Sequence, residues 1–283
     1  METLHFSAGA IAGMMTEGLL MILLPVILLI IWKKKSHEKL LIPVLVGAAT
    51  WFVFAILLKI APAYFLLQAD NPLAKAISGN VWLTYLVAGL LAGIFEETGR
   101  FLAFKFVLKN RKERRTAISY GIGHGGFESA YIGFQTVALA VLFLLFNHGL
   151  GDFMAKGISE TEAANLVKQL APYTNFAFGE CLLGAFERIP AITVHIAFSV
   201  MVFAAVKEKR SFYLYPLAIF LHALFDFSIV LYRAGFGPVW GLELIFAAFA
   251  AILAYFAWRI YRCDRSAPVQ ERESDCAVER NNQ

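Results

Sequence analysis

Seven stretches of this 283-residue chain are each long and apolar enough to cross a lipid bilayer, and little else is compatible with them. They fall at roughly 9–32, 41–63, 81–108, 117–146, 187–206, 212–233 and 237–260. A spanning helix needs about 20 mostly apolar residues. In hydrocarbon the backbone must satisfy its own hydrogen bonds, so a chain with seven such runs folds as helices. The fold class read from the sequence is therefore all-α, a polytopic transmembrane helical bundle of about seven spans.

Composition excludes the alternatives. Hydrophobic residues make up 59% of the chain and charged ones 16%, against about 45–50% and about 25% in soluble domains. A soluble globular enzyme is excluded, and so is disorder outside the ends. The net charge of +4 is small and sits in the loops, so it reads as topology and predicts no nucleic-acid partner. The first run is too long for a signal-peptide core, and its basic cluster follows it instead of preceding it. Cys181 falls in a predicted loop and Cys263 and Cys276 in the tail, with neither a metal-ligand spacing nor a disulfide framework.

Charge bias orients the bundle. One set of loops and the tail carry Lys33, Lys34, Lys35, Lys39, Lys109, Arg111, Lys112, Arg114, Arg115, Lys207, Lys209, Arg210, Arg259, Arg262, Arg265, Arg272 and Arg280. The opposite side holds only Lys75, Lys156, Lys168, Arg188 and Arg233. The positive-inside rule then predicts an N-terminus outside, a C-terminus in the cytoplasm and a multi-pass protein of the plasma (inner) membrane. The membrane domain is expected over 1–261, with 262–283 a polar disordered cytoplasmic tail. In the long outer connection, about 147–186, Ser159-Glu160-Thr161-Glu162 is a capping-box pattern that opens a short helix toward Leu170. It is expected to lie over the bundle at the interface, with a lid or substrate guide as the alternative.

The informative residues are the polar ones inside the spans, because an Asp, Lys or Arg at a helix centre costs about 2.5–3.5 kcal/mol. Glu17, Glu96, Glu97, Glu128, Asp226 and Glu243 lie in spans, against the two cations Lys59 and Arg100. Lys59 is near enough to a span end to snorkel. Ion pairing cannot satisfy six acids, so some must be hydrogen-bonded, solvated in a cavity, protonated or metal-bound. His124, His195 and His222 each lie in a different span. At 1.5 Å per residue, Glu96, Glu97, His195 and His222 come within about 4 Å of their span centres, Glu128 and Asp226 within about 5 Å, and His124 lies about 11 Å to the cytoplasmic side. Four helices thus carry reactive groups to one level near the midplane.

Three local patterns stand out. Glu96-Glu97-Thr98-Gly99-Arg100 sets two carboxylates side by side and a guanidinium one turn on, so one acid pairs with Arg100 while the other points elsewhere. A structural ion pair explains one Glu; a general base explains the second. Tyr120-Gly121-Ile122-Gly123-His124-Gly125-Gly126-Phe127-Glu128 puts His124 and Glu128 on one face. Its four glycines cost about 1 kcal/mol each relative to Ala, so they are there for close helix packing or for access to the backbone. His222 and Asp226 again stand at i,i+4, an Asp orienting a ring whose other nitrogen faces a metal or water. Glu17 and Glu243 have no local partner and stay outside this core.

Together these motifs resemble the CAAX-protease and bacteriocin-processing intramembrane proteases and the related PrsW-type proteases, and within that clan the YhfC family of intramembrane metalloproteases. The resemblance runs from Glu96 through Asp226. Glu96 and Glu97 match the double Glu and Arg100 the basic residue after it, at PrsW spacing with Arg for Lys. Tyr120 and His124 resemble a Phe-x-x-x-His motif with an aromatic exchange. Glu128 resembles the Glu of the PrsW glycine-rich motif, and His222 with Asp226 matches the final His-x-x-x-Asn/Asp.

The resemblance implies an intramembrane endopeptidase acting on a membrane protein or peptide, with catalytic residues Glu96, Glu97, Arg100, His124, Glu128, His222 and Asp226. Glu96 or Glu97 would activate a water near His124. His124, His195 and His222 would ligate Zn2+ or another divalent metal, and a metal-free glutamate mechanism fits the same motifs. The alternatives are a proton- or ion-coupled transporter, for which no inverted repeat of the acidic motifs is seen, and a non-catalytic membrane scaffold or immunity protein on the same fold.

Overall fold

A computed structural model describes residues 4–36, 40–150, 157, 159–208 and 211–262. The described residues form helices and no strand. The spans are α1 (Ala8–Ser36), α2 (Leu41–Leu67), α4 (Val81–Val107), α5 (Arg115–Leu150), α7 (Phe178–Lys207), α8 (Leu214–Arg233) and α9 (Val239–Arg262). Two shorter helices join them, α3 (Pro72–Ser78) and α6 (Glu160–Leu170). The chain is an integral multi-pass membrane protein by these seven helices. The tail beyond 262 lies outside the described residues.

The short elements start where local chemistry supplies caps. Asn71 accepts from the Ala74 amide at 2.8 Å, with Pro72 in the first turn. Asn80 opens α4 by accepting from the Trp82 and Leu83 amides. Ser159 and Glu162 close the expected capping box at the head of α6. The structure departs most from the sequence reading at the start of α7 and within α2. α7 begins at Phe178, nine residues before the expected start, so Cys181 is helical and buried where a loop was expected. Glu187 and Arg188 pair with each other, which lets charged residues sit within a span. Phe52–Leu58 of α2 is a π-helical stretch.

The chain divides into two compact units, 1–27 with 129–189 and 28–128 with 190–283. In the first, Phe6, Met14, Ala140, Phe143, Phe146 and Cys181 form a core, onto which Leu166 and Leu170 of α6 pack. Phe6 stacks on Phe143 at 3.9 Å and exchanges two hydrogen bonds with Asn147. In the second, Phe198, Met201, Val202 and Phe203 of α7 are wholly or almost wholly buried against Phe104, Tyr120 and Leu214. Exposed leucines, isoleucines and phenylalanines cover the outer faces of the spans, among them Leu23, Ile27, Leu45, Phe134, Phe220 and Ile252. An apolar surface of that extent belongs against lipid.

Candidate functional site

The second unit holds the polar cluster, and glycine is why its helices come close enough to build it. A Cβ on Gly123 would overlap the Val44 carbonyl oxygen of α2, and one on Gly47 would overlap that of Tyr120. A Cβ on Gly121 would lie 2.6 Å from Ile196 Cα, and one on Gly125 2.9 Å from His195 Cβ, both on α7. α5 remains helical through the whole motif. Of the two roles open to these glycines, close packing is the one the geometry displays.

Glu97 is wholly buried and committed. Its Oε1 accepts from Arg100 Nη1 and, at 2.7 Å, from His222 Nδ1. The Arg100 pairing is therefore i,i+3 with Glu97, and Glu96 is the acid turned elsewhere. Glu96 Oε2 accepts from His124 Nε2 at 3.2 Å, and Oε1 lies 3.6 Å from Lys59 Nζ. Lys59 does not snorkel: it meets Glu96, its side chain only 25% exposed. It is the member of the cluster that sequence reasoning left out, and the available signal was that it is one of only two cations set against six acids in the spans. The cluster draws on α2, α4, α5, α7 and α8, one helix more than expected.

Arg100 also fixes a histidine. Its Nη2 donates to His195 Nδ1 at 3.2 Å, and a guanidinium can only donate. The ring proton then sits on Nε2, which faces Glu128 Oε2 at 2.8 Å. Glu97, Arg100, His195 and Glu128 form one continuous hydrogen-bonded chain. His222 stacks on Phe198, and its Nε2 lies 3.9 Å from Glu96 and 3.8 Å from Asp226. The imidazoles neighbour one another, His124 to His195 at 4.9 Å and His195 to His222 at 5.5 Å between centroids. Glu96, Glu97, Arg100, His124, His195 and His222 are buried, while the side chains of Glu128 and Asp226 are 19% and 34% exposed. All eight expected residues are thus gathered, with the two carboxylates of α5 and α8 at the more open edge.

The grouping suited to a metal ion is Glu96, His124 and His195, whose donor atoms all lie within 4.8 Å of one another. It differs in one member from the three histidines expected, with Glu96 in place of His222. Two imidazoles and a carboxylate are a known zinc donor set. His124 Nδ1 is buried with no hydrogen-bond partner among the described residues, which leaves a lone pair for a ligand. The donor types and their spacing fit a divalent ion. With Nδ1 held by Arg100, His195 would ligate through Nε2, giving up the proton that faces Glu128.

A family model described as YhfC intramembrane metalloprotease matches residues 20–249, which include the whole cluster from Lys59 to Asp226. "Uncharacterized membrane protein YhfC" of Bacillus subtilis (strain 168) is 34% identical over 254 residues, covering 88% of this chain and 96% of that protein. No solved structure matches.

Proposed function

The chain belongs to the YhfC family, and on that premise we propose that it is an intramembrane endopeptidase whose centre is the Glu96, His124 and His195 group. The observation that carries the reading is the meeting of that donor set with a second, more open carboxylate, Glu128, 2.8 Å from His195. A divalent ion held by Glu96, His124 and His195 would polarise the scissile carbonyl and acidify a water. Glu128, one turn beyond His124 on the same helix face, takes the proton from the attacking water and returns it to the leaving amine. Glu97 touches no substrate: held by Arg100 and His222, it positions both. Asp226 at the open edge orients His222. The bilayer supplies the substrate class, a membrane protein or peptide, and the apolar walls exclude bulk water.

One observation favours a metal-free variant of the same reaction. Lys59 and Arg100 bring two cations to the donor group, and fixed positive charge stabilises an oxyanion. Glu96 would then be the base. The experiment is cleavage of a membrane-embedded peptide by purified protein, with and without chelator, alongside metal analysis. Activity lost to chelator and restored by one metal supports the first form. Chelator-resistant activity supports the second. No cleavage by protein that retains its fold, metal-loaded or not, across a panel of transmembrane peptides removes both.

A further inference from the structure

Away from the acidic cluster, the second unit contains a basic cavity of about 870 Å3 where the ends of α4, α5, α7 and α9 meet. Lys109, Lys112, Arg114, Arg115, Lys207 and Arg262 line it, against the two acids Glu113 and Glu208. Some of these cations build the walls. Lys207 Nζ donates to the carbonyls of Phe104, Leu108 and Lys109 at the end of α4. Arg114 donates to the Ile260 and Tyr261 carbonyls at the end of α9 and to Glu208. Lys109 and Lys112 are exposed, and neither side chain has a hydrogen bond or ion pair among the described residues. Their charge is left for something else.

A second observation says what. Tyr261 also lines an apolar groove of about 260 Å3, walled by Ile118, Ile196, Ala197, Val200, Ala254 and Ala257. From Tyr261 back to Ala254 the groove follows α9 for about 10 Å toward the middle of the bilayer. Trp258 lines it too, with the Arg262 guanidinium 4.7 Å above its ring, the amphipathic pairing found where lipid meets water. Positive-inside charge alone explains basic loops. It explains neither the concavity nor an acyl-sized furrow running on from it.

We propose that the cavity and groove together bind one anionic glycerophospholipid, its phosphate in the cavity against Lys109 and Lys112 and one acyl chain along the groove. Basic pockets between membrane helices suit such headgroups. A free phosphate would use the cavity alone and gain nothing from the furrow.

The test is thermal unfolding of the full chain in detergent, each variant compared with itself with and without added lipid. Dioleoyl phosphatidylglycerol is expected to raise Tm by about 3–5 °C at roughly tenfold above its Kd. Dioleoyl phosphatidylcholine and glycerophosphate are expected to raise it far less. K109Q/K112Q, and separately A254F, which fills the groove, lose most of the rise. K33Q/K34Q removes two exposed charges outside the cavity and keeps it. An equal rise with phosphatidylcholine or with glycerophosphate overturns the proposal, as does a full rise retained in K109Q/K112Q.

Discussion

The two compact units handle charge inside a membrane in opposite ways. The first carries Glu17 on α1, with Glu187 and Arg188 of α7 within electrostatic reach. It makes room for the acid by subtraction: Gly184 has no side chain where Glu17 Oε1 lies. The second surrounds its acids with partners, two cations and three imidazoles drawn from five helices. An acid in a notch needs only space and a neighbouring charge. Acids held in a network are fixed in orientation, and fixed orientation is what chemistry on a substrate requires. That difference makes the second unit the candidate place for the proposed reaction.

Exchanging each acid for its amide breaks or sharpens that contrast most strongly. Glu128→Gln is expected to lower peptide cleavage by roughly 10²–10⁴-fold, the usual span for losing a proton-transfer group, while Glu17→Gln leaves cleavage unchanged. Equal losses in the two variants erase the distinction. Next in size is stability. Arg100→Leu leaves Glu97 buried without its guanidinium and is expected to cost about 3–5 kcal/mol, read as a fall in Tm. Glu97→Gln in the same chain recovers part of it.

In the first unit, Gly184→Ala is expected to cost about 1–3 kcal/mol by overpacking the notch. Combining it with Glu17→Ala removes most of that cost, a coupling a double-mutant cycle measures. The smallest effect is on α6. The Ser159 hydroxyl and amide hold the Glu162 carboxyl below its usual range. The cap is therefore intact above the unfolded carboxylate value, about pH 4.3, and is lost as pH falls through the lower folded value. Amide exchange at the first turn of α6 should quicken there and not at neutral pH.

Much of this was legible in the sequence, and the failures have physical causes. Long apolar runs gave all seven spans, because nothing but length and hydropathy decides whether a helix crosses a bilayer. α7 starts nine residues before the expected position, because the charged pair Glu187 and Arg188 reads in sequence as the span's outer end, whereas the two residues pair with each other inside the helix. Lys59 was misread from depth, its place near a span end suggesting that it snorkels. The π-helical stretch Phe52–Leu58 just before it puts more residues into each turn, which rotates the face that follows. The choice of Glu97 over Glu96 for Arg100 was beyond the sequence, since i,i+3 and i,i+4 pairs are equally open on a helix. Depth brought His195 and His222 to one level but set His124 about 11 Å to the cytoplasmic side of its span centre, and the grouping of Glu96 with His124 and His195 comes from packing between residues far apart in the chain.

The contacts at Gly47 and Gly123 have one more consequence. There the helices that carry Lys59 and His124 rest on carbonyl oxygens, atoms common to all twenty residue types. Their separation is gauged by the polypeptide itself, so lipid-facing substitutions can accumulate along both rods without altering how far apart the ammonium and the imidazole are held. Mutational tolerance on the outside and ångström-level constancy at the centre come from the same two missing methyl groups.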